Sequence, residues 1–372
     1  MRRRSYVQTS LRSLVAGSLL SLAVFVPSGF AQEGQEPTTT GPKRDVGETV
    51  LVPKKTPPAP PAESEAKKVE RITPGEVFTL STETNLVNVD VMVLDSNNYP
   101  IPNLGRKNFK VYDDGVPQAV TNFGATGAPM TVCMLIEFSN TWWFVLYETL
   151  RYAYDFVRVI EPKDWVAVVS FDMQSQILQD FTQDRHEVIQ ALDRLRIPGF
   201  SEINLFDALA FTIDRMKDIE GRKAIVVICT GYDTFSKLTY GEMLKIAKAS
   251  ETTIYPISIL EYMTVRNYAR EGIGSLQARN QLDYIARYSG GQAYFPRFEA
   301  ELPAIYQQIA EQLRLQYSLG FVPTNPMRDG RYHKLKIELV DDQGNPLRIL
   351  DQKGKKVKYR VVAREGYYAP KS

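Results

Sequence analysis

At 372 residues and 44% hydrophobic composition, the chain is long enough to bury one large core and a smaller satellite. Its formal charge of +2 arises at its beginning: residues 1–31 hold Arg2, Arg3, Arg4 and Arg12 and no acid, so the remainder carries 41 basic residues against 43 acidic ones, a net of −2. That balance offers no basic surface for nucleic acid, and glycine-rich phosphate loops are absent.

In chain order, residues 1–31 read as a secretory signal: a basic start, an apolar stretch from Leu14 to Val26, and the small residues Gly29 and Ala31 ahead of Gln32, with cleavage expected after Ala31. Gly17, Ser18 and Ser21 interrupt that stretch, which is short for a membrane span. Residues 32–75 read as a disordered, Pro-rich linker with PKKTPPAPPAESEAKK at its centre, because such a segment buries too little surface to offset its chain entropy.

Residues 76–125 read as β structure. In NLVNVDVMVLD, Leu86, Asn88, Asp90 and Met92 alternate with Val87, Val89, Val91 and Val93, the period of a strand with one dry face. A turn over Asp95 to Tyr99 and a short strand from Phe109 to Tyr112 precede a second turn at Asp113, Asp114 and Gly115.

Over residues 126–315 strands alternate with helices. The run TVCMLIEFSNT, Thr131 to Thr141, is a buried strand that ends in a carboxylate, Glu137, followed by the hydroxyls of Ser139 and Thr141. Leu146, Leu150, Ala153, Val157 and Ile160 then form one face of a helix. Strands are expected at Trp165 to Phe171, Gln176 to Phe181 (an edge), Lys223 to Thr230, Thr252 to Ile259 and Gln292 to Phe295. Helices are expected at Asp184 to Leu195, Asn204 to Lys217, Tyr240 to Ser250, Leu276 to Tyr288 and Pro303 to Leu315. This repetition implies an α/β fold with a doubly wound, mostly parallel sheet, whose strand ends form the usual ligand-binding lip. Residues 316–370 return to β structure at Gln316 to Pro323, His333 to Val340 and Lys358 to Arg364. Neither β portion is large enough to stand alone, so the two are expected to pair into a small β-sandwich from which the α/β domain projects.

The two cysteines, Cys133 and Cys229, lie out of step on their strands and are expected to be free, buried thiols. His186 and His333 show no zinc spacing with them and read as surface residues.

The motif at Glu137 to Thr141, the order of elements, the opening NLVNVDVMVLD and the closing LRLQYSLGFVP and AREGYYAP together resemble the von Willebrand factor type A (VWA) domain proteins, specifically the acidobacterial-type VWFA-related family, over about Leu80 to Pro370. The resemblance implies a VWA domain with a metal-ion-dependent adhesion site of three loops: an acid and two hydroxyls (D-x-S-x-S), then a Thr, then an Asp. Its ion would be Mg²⁺ or another divalent cation, which prefers about six oxygen ligands.

Against that pattern Glu137 stands for the Asp, Ser139 and Thr141 keep hydroxyls, Ile203 replaces the second-loop Thr, and Thr230 replaces the third-loop Asp, with Asp233 beyond the turn. The site is therefore expected to be degenerate. Should a metal bind, its ligands would be Glu137, Ser139, Thr141 and Asp233. Asp207 reads as a helix-start residue instead of a ligand.

The resulting expectation is an exported, periplasmic or secreted, non-enzymatic protein-interaction module. It would be metal-independent and would dock a protein partner in the cell envelope or outside the cell through Glu137, Ser139, Thr141, Trp142, Trp143, Ser201, Asn204, Thr230 and Asp233. The alternative is a divalent-cation-dependent adhesin. A hydrolase is a remote third reading, because no acid and base pair is evident and Ser139 lacks a His partner.

Overall fold

The structure, a computed structural model, describes residues 86–124, 129–140, 150, 153–219, 221–266, 269, 272–324, 329–350 and 353–370. All lie in the unit Phe78–Ser372. The expected signal at 1–31, the linker at 32–75, and Thr141, Trp142, Trp143 and Leu146 lie outside the described residues.

The centre of the α/β part is β5 (Met130–Glu137), every residue of which is buried. Its side chains alternate between two cores. Met130, Val132, Met134 and Ile136 face one, while Cys133 and Leu135 face the other. Such a strand must be covered on both sides, and the chain around it supplies helices for both. Parallel neighbours are β6 (Trp165–Phe171) and β8 (Arg222–Cys229), and β9 (Thr253–Ser258) pairs in parallel with β8. The antiparallel edge strand β7 (Ser175–Thr182) completes the order β7-β6-β5-β8-β9.

One face is covered by the helical residues 153–159, α1 (Arg185–Asp193), α4 (Leu260–Val265) and α6 (Leu302–Arg314). The other is covered by α2 (Leu205–Met216), α3 (Tyr240–Ala249) and α5 (Ile273–Ser289). The sheet is thus doubly wound. Residues 292–295 depart from expectation: they contribute only the isolated bridge Ile257↔Tyr294, held by bonds from Tyr294 N–H to Pro256 O and from Ser258 N–H to Tyr294 O.

The parallel register pairs Cys133 with Ile225, four residues before Cys229, and both thiols are free and buried. Burial pushes the Cys133 thiol up to about 12, which leaves it unreactive.

The flanking β segments do pair. β1 (Val87–Asp95) lies between β10 (Tyr317–Phe321) and β14 (Tyr359–Ala363), with β4 (Val120–Gly124) beyond β10. The second sheet runs β15-β11-β2-β3, built from Gly366–Tyr368, Tyr332–Leu339, Phe109–Asp113 and Val116–Gln118. A small hairpin joins β12 (Ile349–Leu350) to β13 (Lys356–Val357). Val89, Val91 and Val93 of β1 meet Phe109, Val111, Leu339 and Tyr367 of the facing sheet in a sandwich core.

The single dry face expected for β1 is corrected, because its other face is buried at its far end. Met92 and Leu94 belong to the core under α6, and the Tyr255 hydroxyl donates to Met92 Sδ at 3.2 Å. The α/β domain does not merely project from the sandwich; the two share a strand. His333 is also corrected. It is not a surface residue, since its side chain is 13% exposed and stacks on Tyr367.

Truncating Leu94 should therefore destabilise the α/β domain from a strand that belongs to the sandwich. Leu94→Ala is expected to cost about 2–5 kcal/mol as a cavity under α6, read as the shift of a single urea transition; a loss under about 1 kcal/mol would contradict the shared core.

Candidate functional site

The C-terminal ends of β5, β6, β8 and β9 carry the loops expected to form the site. Glu137 closes β5, and its carboxylate turns sideways to the end of β8 instead of outward. Oε2 accepts from the Thr230 backbone N–H at 2.7 Å and from Thr230 Oγ1 at 2.9 Å, while Oε1 accepts from Ser139 Oγ at 3.3 Å. Thr230 carries the chain of bonds onward: its carbonyl accepts from Ser258 Oγ at 3.0 Å, at the end of β9. Three strand ends are tied in one polar line.

Glu137, Ser139 and Thr230 are 4%, 2% and 0% exposed. Burial is the largest influence on Glu137 and raises its carboxyl to about 7, although all three hydrogen bonds favour the charged form. Gly231 then turns the chain with φ +90, and a Cβ there would sit 2.7 Å from Leu282 Cδ1, so only glycine lets the loop leave the sheet here.

The adjacent loops are knit to this line. Asn140 N–H donates to Phe200 O at 2.6 Å, Asn204 N–H to Asp172 O at 2.8 Å, and Thr234 and Phe235 N–H both to Ile203 O at 2.8 and 2.9 Å. Asn204 is buried, with Nδ2 donating to Met173 O at 3.0 Å, whereas Ser201 is exposed. Asp233 serves the start of α2: its Oδ1 accepts from Phe206 N–H at 3.2 Å and from Ser236 Oγ at 2.5 Å. Asn204, at the cap position, makes no side-chain cap bond, so the helix takes its cap from another loop. Asp207, in the first turn as expected, accepts from Lys237 and Leu238 N–H at 2.9 and 3.0 Å.

The structure thus brings Glu137, Ser139 and Thr230 together and holds Asp233 at a different task. Of the residues expected to face a partner, those three and Asn204 are enclosed, so contact at this end falls to others. Large apolar side chains that sequence reasoning did not single out stand there: Ile197 is 86% exposed, Phe200 48% and Phe235 51%. A usable signal is present in the sequence, since Ile197 and Phe200 flank Pro198-Gly199 in a segment with no apolar period.

Thr141 lies outside the described residues, and among the described residues those expected to hold the ion do not fit a Mg²⁺ seat. Both Glu137 oxygens are occupied by donors, Ile203 is buried and has no oxygen to offer, Thr230 points its hydroxyl at Glu137, and Asp233 caps a helix. A hard cation needs several free, charged oxygens, and none of these four positions provides one.

Neither protein-family models nor curated proteins give a match to this chain. Among solved structures, a point mutant of the PilB minor pilin from Streptococcus sanguinis is similar at 11% identity over 52% of this chain and 62% of that one, with a TM-score of 0.41. The vWF domain of the type V pili tip protein Mfa5 from Porphyromonas gingivalis is similar at 15% identity over 50% of this chain and 95% of that one, TM-score 0.40. The conserved hypothetical protein BatB from Bacteroides thetaiotaomicron is similar at 17% identity, 49% and 98% coverage, and TM-score 0.36. The chain spans about three-fifths of the pilin's length. The fold class rests on the molecule's own strand order, antiparallel edge and helices on both faces, which define a doubly wound α/β fold joined to flanking β sheets.

The raised carboxyl of Glu137 makes stability depend on pH with a definite sign. Between about 4.5 and about 7 the folded state holds a proton that the unfolded chain releases, so this stability is full below 4.5 and is lost as pH rises through 7. The difference amounts to about 3 kcal/mol. Glu137→Gln should flatten the fall in urea midpoint between about pH 5 and about pH 8, relative to the unaltered chain; an unchanged slope would mean that Glu137 is ionised throughout.

Proposed function

We propose that the chain is an exported, non-enzymatic protein-interaction module that docks a protein partner with the loop end of its α/β domain, without a bridging metal. The observation that carries this reading is the set of exposed apolar side chains, Ile197, Phe200 and Phe235, on loops that are hydrogen-bonded to the ends of the parallel strands. Exposed apolar groups on a rigid frame are what a partner covers, and the aromatic ones suit the anchor positions that dominate interface energy. Ser201 lies beside them, and Trp142 and Trp143 follow the same strand in sequence.

Metal independence is supported by the donor arrangement at Glu137, which leaves no open coordination position for a partner's carboxylate. A non-enzymatic role is supported by the same arrangement: the acid is enclosed, and Ser139 donates to it instead of to a base. Export rests on the basic, apolar and small-residue order of residues 1–31, and among the described residues no helix is long and apolar enough to cross a membrane.

Capture of envelope proteins by the immobilised chain, with and without a chelator, tests both parts of the reading. A partner retained by the unaltered chain in chelator and lost from Ile197→Asp/Phe235→Asp, at a cost of about 2 kcal/mol or more, is the expected result. Equal retention by the double variant would move the docking surface elsewhere, and loss in chelator that added Mg²⁺ reverses would restore the cation-dependent reading.

A further inference from the structure

The end of the sandwich opposite in character to its apolar core holds a second constellation. Along β2 the core-facing positions run Phe109, Val111, Asp113, and along β11 they run Leu339, Ile337, Leu335, His333; each apolar row ends in a polar side chain. Asp113 is 6% exposed, so this carboxylate is buried where the pattern calls for another apolar residue. Burying a charge without compensation is costly, and something must offset it.

The three side chains are aimed at one point. His333 Nδ1 lies 3.3 Å from Asp113 Oδ1 and 3.1 Å from Asp114 Oδ2, and the three atoms all fall within 4.8 Å of one another. Asp113 Oδ1 nevertheless has no hydrogen-bond partner, even with the imidazole nitrogen so near. The opposite oxygen of each carboxylate is held from behind: the Tyr367 hydroxyl donates to Asp113 Oδ2 and Lys334 N–H to Asp114 Oδ1, both at 2.8 Å. Tyr367 also stacks on the His333 ring at 5.3 Å between centroids, fixing its plane.

Ligands about 2.0–2.2 Å from a common ion stand roughly 3.0–3.6 Å apart, the range that separates Nδ1 from each of the two free oxygens. One imidazole and two carboxylates suit a borderline divalent cation such as Zn²⁺ over Mg²⁺ or Ca²⁺, which take oxygen alone. Outer partners that orient each ligand are the usual accompaniment of such a centre.

We propose that Asp113, Asp114 and His333 bind a divalent transition-metal ion of the zinc class, which clasps the first β segment of the sandwich to the last. The ligands come from positions 220 residues apart in sequence, one on each side of the inserted α/β domain. The ion would join β2 and β11, neighbouring strands of one sheet, at the margin where the apolar core ends. This assignment is independent of the docking role at the far loops.

The test is calorimetric titration of Zn²⁺ into the chelator-treated full chain, followed by nuclear magnetic resonance of the chain labelled with ¹⁵N at histidine, which has two imidazoles to resolve because only His186 and His333 are present. One saturable site that shifts the Nδ1 resonance of His333 and raises the unfolding temperature is expected, with Mg²⁺ giving no response. His333→Gln and Asp113→Asn should abolish it, Tyr367→Phe should weaken it by about 10–100-fold, and the exposed His186→Gln should leave it intact. No saturable binding at millimolar Zn²⁺ would overturn the proposal, since it would leave the three groups as an ion pair only. Binding that leaves His333 unshifted, or that survives both ligand variants, would overturn it equally. The resonance experiment on the unaltered chain decides the matter even if a variant fails to fold.

Discussion

The carboxylate of Glu137 organises the lip of the sheet. A charged group at the end of a buried strand has two ways to be accommodated: it can meet a cation in solvent, or be enclosed and saturated with donors. Here it is enclosed, with the Thr230 N–H, the Thr230 hydroxyl and the Ser139 hydroxyl satisfying it. Thr230 supplies two of the donors, and the Glu137 side chain is long enough to reach them across the strand spacing of about 4.8 Å. Loss of either partner would leave an unpaired group in a dry place, at a cost of about 1–3 kcal/mol.

The same constraint settles what the loops around it do. These loops are held by their own backbone bonds, Asn140 to Phe200, Asn204 to Asp172 and Phe235 to Ile203. Asp233 caps α2. Burial raises the Asp233 carboxyl as well, by desolvation against the opposing pull of Ser236 and Phe206. An acid in that situation favours hydrogen bonding over presenting free charge to solvent.

Much of this architecture is legible from local pattern. The β5 and β8 runs read as strands buried on both faces because nothing polar interrupts them, and the helices declare themselves through apolar spacing. What fails is non-local. Tyr294 alternates like a strand residue, but it makes only one bridge. The short strands Val116–Gln118 and Gly366–Tyr368 are too brief to show a period and exist because β2 and β11 pair with them. The burial of Glu137 depends on Thr230, 93 residues away, which no local motif reveals. His333 differs for another reason: as a lone histidine it reads as a surface residue, although its period of two with Leu335, Ile337 and Leu339 places it on the core-facing row.

Strand β1 connects these observations into one mechanical argument. One of its faces fills the sandwich, and on the other Met92 and Leu94 fill the space beneath α6, so the sandwich cannot shift against the α/β sheet without opening one of two cores. A docking surface made of loops has value only if its frame does not yield when a partner presses on it, because ordering the loops on binding would consume part of the contact energy. In this chain the loops are tied to the strand ends, and the Glu137 carboxylate is enclosed within the frame beneath them. A partner docked at such a lip would meet shape and apolar cover already held in place, so little of the contact energy would go into ordering the loops.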